Sequence, residues 1–245
     1  MISKPVIVFV PGAWHTPSAF DLLLPSLHKA GYQTTGVFLA SVGGKAEIQD
    51  FYPDVALIRS VVGGLVEILG RDVVIVSHSY GGSPTTEAMK GLSKNYREAQ
   101  GLPGGVVKLI YISAGVPVEG HGFIESLGED HPGTEMVFHE DGTTTPKHPV
   151  RDFYNDLPPD LAQYYVGLLQ RQVVKVFFTP VTYAAYRDIP AAYLLCTKDQ
   201  AIGIEFQRII VENTGITETE ELDASHSPFL SRPEAVVRFI RRVLE

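Results

Sequence analysis

Short runs of β-branched and aliphatic residues alternate along the chain with longer stretches of helical periodicity, the pattern of βαβ units wound around a parallel sheet. Val6–Val10 reads as a buried strand. Residues 17–30 then read as an amphipathic helix ended by Gly31, 32–39 as a second strand, 52–69 as a helix stopped by Gly70, and 73–76 as the third strand. Gly81 and Gly82 open a helix that runs to about residue 92, and strands follow at 106–112 and 191–197. A helix at 204–211, a weak strand at 217–222 and a C-terminal helix announced by Ser231, Pro233 and Glu234 complete the series. Six strands and five helices joined by right-handed crossovers predict an α/β fold with a doubly wound, mostly parallel six-stranded sheet.

Residues 116–190 break this rhythm. They hold 8 of the 17 prolines and 10 of the 24 aromatic residues in under a third of the chain, and only 161–174 looks clearly helical. A crossover between parallel strands needs about a dozen residues. The surplus is an insertion, and an aromatic-rich insertion at the C-terminal edge of a parallel sheet is expected to cover a ligand crevice rather than serve as a disordered linker. The 245 residues allow two small domains or one large one. The expectation is a single domain, with a core of 1–115 and 191–245 and a cap of 116–190.

Charge and cysteine content narrow the functional classes. A formal charge of −8, with no basic run longer than Arg241-Arg242, argues against a nucleic-acid binder. The single cysteine, Cys196, forms no internal disulfide and no Cys-rich zinc cluster. No apolar run approaches the ~20 residues of a membrane span, and Val6–Val10 is too short for a signal sequence. The chain reads as soluble and cytoplasmic. A homodimer is compatible with the sequence, which carries no pattern that fixes the oligomeric state.

The chemistry concentrates at strand ends. Ser77-His78-Ser79-Tyr80-Gly81-Gly82 lies between a predicted strand and a predicted helix, the context of a nucleophile elbow, although Ser77 stands where the first glycine is usual. S-x-S-x-G alone is a weak pattern that a glycine-rich turn also fits. A serine needs a base to take its proton and an acid to orient that base. Asp199 follows the strand at 191–197 and His226 follows the last strand, so the order Ser, Asp, His and the placement at strand ends agree. Each residue alone also reads as structural: Asp199 as a helix cap or turn residue, His226 as a surface histidine. Asp223 and Glu119 are rival acids, Asp223 being too near His226 in sequence to reach its far ring nitrogen. An oxyanion hole requires two N–H donors, expected at Tyr80 and, in the Pro11-Gly12-Ala13-Trp14 loop, at Ala13.

The stretches 8–20, 77–82, 197–207 and 224–233 resemble the α/β-hydrolase superfamily, in particular its methylesterase and hydroxynitrile lyase branch and the microbial relatives of that branch. The resemblance spans nearly the whole chain outside 116–190, and Asp-x-x-Ile-x-x-x-x-Gln, starting at Asp199, is its more specific part. It implies an α/β-hydrolase fold with a cap, Ser79, Asp199 and His226 as nucleophile, acid and base, and Ala13 and Tyr80 at the oxyanion hole. Two positions depart from the branch. Pro11 replaces a histidine after the first strand, which predicts the loss of a hydrogen bond that organises the loop. Ser227 follows His226 where the lyases carry a lysine, which argues against cyanohydrin cleavage.

These readings predict a serine hydrolase acting on an ester or lactone of a small, fairly apolar molecule, with Trp14, His15, Phe153 and Tyr154 as candidate substrate contacts and Tyr80 at the pocket floor. The alternatives are a lyase, acyl-transfer or cyclisation enzyme using the same triad, or a receptor that retains the pocket. No cofactor or metal is implied: His121, His131, His139 and His148 match no zinc spacing, and Gly43-Gly44-Lys45 lacks the remainder of a phosphate loop.

Overall fold

The structure, a computed structural model, describes residues 4–44, 47–128 and 134–245. The first apolar run forms β1 (Val6–Val10), buried along its whole length. A 3-10 turn over Pro17–Leu23 leads into α1 (Leu24–Lys29), so the helix expected across 17–30 is split. Pro25, in the first turn of α1, lacks the N–H that a continuous helix would use. The strand expected at 32–39 pairs only over β2 (Thr34–Gly36), at the sheet edge. α2 (Tyr52–Gly63) passes into a single π turn at Gly64–Ile68 and ends before Gly70, whose φ of 61° suits glycine. β3 (Asp72–His78) extends beyond the expected 73–76. α3 (Gly82–Ala88) is shorter than expected, and it is followed by α4 (Lys94–Ala99), too short and polar to show in the apolar pattern; Ser93 caps it by accepting from the Tyr96 N–H at 3.2 Å. β4 (Gly105–Ile112) follows.

The insertion contains α5 (Phe123–Ser126), β5 (Met136–Phe138), β6 (Thr143–Pro146), α6 (Pro149–Phe153), α7 (Pro159–Val166) and β7 (Gln172–Val173). The helix expected over 161–174 therefore stops at Val166, and Gln172 and Val173 pair with β6 in an antiparallel sheet of order β5-β6-β7. Tertiary contacts decide this: Val173 N–H donates to the Ser41 carbonyl at 3.0 Å and Gln170 N–H to the Trp14 carbonyl at 2.8 Å, drawing the segment onto the core. The end of the insertion is tied to α3, where Glu87 accepts from the Thr182 N–H at 2.6 Å and Thr86 Oγ1 from the Ala185 N–H at 2.8 Å. The chain then completes the main sheet with β8 (Ala191–Cys196), α8 (Ile204–Thr214), β9 (Glu218–Leu222), α9 (Pro228–Ser231) and α10 (Pro233–Arg242).

The main sheet has the order β2-β1-β3-β4-β8-β9, and every pair is parallel. The charged β9 lies at one edge, where its glutamates discourage pairing with another chain. The connection from β1 runs to β2 on one side and that from β3 to β4 on the other, so the crevice of this fold lies beyond the C-terminal ends of β1 and β3. Among the described residues no helix is long and apolar enough to cross a membrane.

Glycines allow the ends of β1, β3 and β4 to touch. A Cβ on Gly81 would lie 2.4 Å from the Pro11 carbonyl oxygen, and one on Gly82 2.5 Å from that of Gly115. Both contacts are with backbone, which cannot rotate away. Gly81→Ala is accordingly expected to destabilise the fold by about 1–3 kcal/mol, read as a lower denaturant midpoint at unchanged m-value; an unaltered midpoint would contradict this packing.

Candidate active site

Ser79 leaves β3 with φ of 52°, a left-handed conformation that costs a non-glycine residue about 1–3 kcal/mol. The turn places Ser79, 8% exposed, at the mouth of a pocket beyond the sheet. Ser77, at the position where glycine is usual, is accommodated because its hydroxyl donates to Thr85 Oγ1 at 3.0 Å between strand and helix. Gly12 faces the elbow from the β1 loop, and a Cβ there would lie 2.7 Å from that of Ser79.

His226 and Asp199 arrive from the ends of β9 and β8. His226 Nδ1–H donates to Asp199 Oδ2 at 2.7 Å, both side chains being buried. Because a carboxylate only accepts, this bond fixes the tautomer and leaves Nε2 as the acceptor. Asp199 is itself held firmly. Its Oδ1 accepts from the Ala201 and Ile202 N–H groups at 2.7 and 2.9 Å, and its Oδ2 from Gln207 Nε2 at 3.1 Å. Gln207, the last residue of the Asp-x-x-Ile-x-x-x-x-Gln stretch, also bridges the Cys196 N–H and the Ile202 carbonyl, which explains its spacing one helical segment after Asp199. The rival acids lie elsewhere: Asp223 pairs with Lys198 and Glu119 with Arg187, all on the surface.

Ser79 and His226 line one pocket with Ala13 and Trp14 from the β1 loop and Ala201 and Ile202 from the loop after β8. The insertion supplies its remaining walls, chiefly Phe123, Ile124, Leu127, Met136, Phe153 and Phe177. The cavity that these walls enclose is small, about 50 Å³. Trp14 and Phe153, both expected as contacts, stack at 5.6 Å within it. The α5 residues were missed, although Phe123, Ile124 and Leu127 share one helical face at a spacing that sequence shows.

His15 and Tyr154, also expected to contact substrate, do not line this pocket. They border a separate narrow cavity and bond to each other, Tyr154 O–H donating to His15 Nε2 at 2.8 Å while His15 Nδ1–H donates to the Ala13 carbonyl at 2.7 Å. They brace the β1 loop from behind. The loop thus has its organising bonds despite Pro11, supplemented by Trp14 Nε1–H to the Thr144 carbonyl at 3.1 Å, and Trp14 itself holds φ of 64°. Tyr80 also turns away from the pocket, and its hydroxyl donates to Asp54 at 2.8 Å.

Two further buried histidines stay neutral. Burial pushes His15 down to about 4, against the pull of its Ala13 bond, and burial together with the neighbouring His226 and His15 pushes His78 well below the usual range. His78 Nε2–H donates to the His226 carbonyl at 2.9 Å, supporting the histidine loop. Of the other histidines, His139 bonds Thr145 and His148 lies 3.7 Å from Glu135; His131 and Lys45 fall outside the described residues. Among the described residues no group of three or more His, Cys, Asp or Glu is placed to hold a metal ion.

The model of the Alpha/beta hydrolase family matches residues 7–239. The chain belongs to that family. Alpha/beta hydrolase nvfD of Aspergillus novofumigatus (strain IBT 16806) is 36% identical over 243 residues, covering 97% of this chain and 96% of the relative. Methylesterase 9 of Arabidopsis thaliana is 24% identical over 252 residues, covering 92% and 93%. The crystal structure of polyneuridine aldehyde esterase superposes with a TM-score of 0.80 at 20% identity, over 99% of this chain and 100% of that one, a likeness of fold. The expected resemblance to the methylesterases and their microbial relatives therefore holds for this α/β-hydrolase.

The buried histidines make stability depend on acid. Between pH 6.5 and about 4 the unfolded chain binds a proton at His15 that the folded chain refuses, so stability falls as pH falls through this window. His78 acts in the same direction, whereas Asp54, pushed above its usual value, acts in the opposite one. His15→Gln is expected to flatten the slope of unfolding free energy by about 1.4 kcal/mol per pH unit in that window; denaturant titrations from pH 4 to 7 that show equal slopes would contradict a neutral buried His15.

Proposed function

We propose that this α/β-hydrolase is a serine hydrolase that cleaves an ester or lactone of a small, apolar molecule through an acyl-enzyme. The observation that carries the reading is the 2.7 Å His226–Asp199 bond, which leaves His226 Nε2 as an acceptor on the same pocket as a serine held in a strained elbow. Ser79 Oγ attacks the carbonyl carbon while His226 Nε2 takes its proton, and the Asp199 carboxylate steadies the imidazolium. The carbonyl oxygen, now an oxyanion, is met by the N–H groups of Ala13 and Tyr80. Tyr80 stands in the first turn after β3, where leading N–H groups lack a partner within the helix. Collapse expels the alcohol, which takes the proton from His226. Water, activated in turn by His226, then attacks the acyl-Ser79 ester and releases the acid.

The pocket supports an apolar substrate. Among the described residues lining it, Ser79, His226 and Thr134 are the polar side chains and none is charged, while aromatic and aliphatic groups make the walls. An ionic group there would lose hydration without finding a counter-charge. Relatives named Methylesterase 9 and Methyl jasmonate esterase 1 support ester cleavage.

Against a panel of aryl esters and lactones, Ser79→Ala is expected to lower kcat by about 10⁴-fold or more, and one oxygen from labelled water should enter the acid product. Retained activity in Ser79→Ala would overturn the covalent mechanism, and turnover without label would overturn hydrolysis in favour of lyase, transfer or cyclisation chemistry.

A further inference from the structure

Asp54, in the first turn of α2, is completely buried, and no step of the proposed reaction uses it. Among the described residues it has no cationic partner. Its Oδ1 accepts the Ser41 N–H at 2.8 Å, and its Oδ2 accepts the hydroxyls of Ser41 at 2.6 Å and Tyr80 at 2.8 Å. Burial pushes this carboxyl above the usual range, and the hydrogen bonds from Ser41 and Tyr80 oppose the shift. A buried carboxyl without a counter-charge is costly unless hydrogen bonds satisfy it, and its neighbours here belong to the reaction centre.

Two arms leave Asp54. One ends at Tyr80, whose own N–H is a proposed oxyanion donor and whose ring packs edge-on against the pocket walls Phe123 and Phe177 at 5.7 and 5.3 Å. The other passes through Ser41 Oγ, which accepts from Gln172 Nε2 at 2.8 Å, to Gln172 Oε1, which accepts the Trp14 N–H at 3.3 Å. That N–H belongs to the peptide unit just after the Ala13 donor. Both arms therefore anchor, from behind, the two segments on which the oxyanion hole is built.

We infer that Asp54 is a positioning residue for the oxyanion hole, fixing both donor segments and the adjoining pocket wall through one buried network, Tyr80–Asp54–Ser41–Gln172–Trp14. The inference rests on the hydrolase reading. Its function is geometric: transition-state stabilisation depends on donors held in place before charge develops, and displacements well under the length of a hydrogen bond are felt in rate.

The test compares the parent with Tyr80→Phe, Ser41→Ala, Asp54→Ala and the Tyr80→Phe/Asp54→Ala double variant, with active sites counted by a fluorophosphonate that labels Ser79. Tyr80→Phe keeps the ring and the backbone N–H, and is expected to lower kcat per labelled site about tenfold while KM stays within about threefold. Phenylboronic acid, whose tetrahedral Ser79 adduct places an oxygen in the hole, should bind about tenfold less tightly. In the Asp54→Ala background Tyr80→Phe should cost nothing further, since both changes cut the same link. If Asp54→Ala fails to fold, Tyr80→Phe and Ser41→Ala carry the test alone, each cutting one arm. Lower melting temperatures with parental kcat and boronate affinity in both would overturn the inference by showing a purely structural network. A parent that takes no fluorophosphonate at Ser79 would overturn the hydrolase reading and this inference with it, whereas a labelled parent with unaffected variants overturns the inference alone.

Discussion

The left-handed turn at Ser79 is the constraint on which the site depends. A serine at φ of 52° is unfavourable by itself, and it persists because its surroundings permit no other path. β1 and β3 run side by side in register, and the chain must pass from β3 into α3 beneath the Pro11 carbonyl with no room for a side chain at Gly81. Gly12 completes the fit from the opposite side. Burial of β1 and β3 among apolar neighbours supplies the stability that offsets the strain, at roughly 25 cal/mol for each Å² of apolar surface removed from water.

Two buried carboxyl groups flank this turn and divide the work between them. Asp199 faces His226 and is satisfied by two backbone N–H groups and Gln207, an arrangement that orients an imidazole. Asp54 faces away from the pocket and gathers Tyr80, Ser41 and, through Gln172, the β1 loop and the insertion. The insertion thus meets the core at the β1 loop through β7 and at the His226 loop through α6, where Ser225 Oγ–H donates to the Phe153 carbonyl at 3.2 Å. The walls that shape the pocket and the loops that carry Ser79 and His226 share hydrogen bonds.

Legibility in the sequence followed the range of the interactions. Parallel strands buried on both faces read as continuous apolar runs, so β1, β3, β4 and β8 were visible, and Ser79, Asp199 and His226 stood out because they follow strands. The insertion was not legible in the same way. β6 is Thr-Thr-Thr-Pro and β7 two residues long; they pair with each other and β6 with β5, and the segment is held to the core by partners more than a hundred positions away, such as Trp14 against Thr144. His15 and Tyr154 carry side chains suited to a binding site, and only the fold shows that they face each other behind the loop. Asp54 carries no signal in the sequence, since an acidic residue near a helix N-terminus is what the helix dipole favours anyway.

The central claim is that Ser79 carries the acyl group between two half-reactions. Rapid acid quench of the protein with a slowly deacylating aryl ester, followed by mass spectrometry of the intact chain and its peptides, tests it most directly. The expected result is a mass gain equal to the acyl group, located on the peptide containing Ser79 and at Ser79 itself. Turnover with an unmodified Ser79 throughout, or an acyl group carried on another residue, would contradict it.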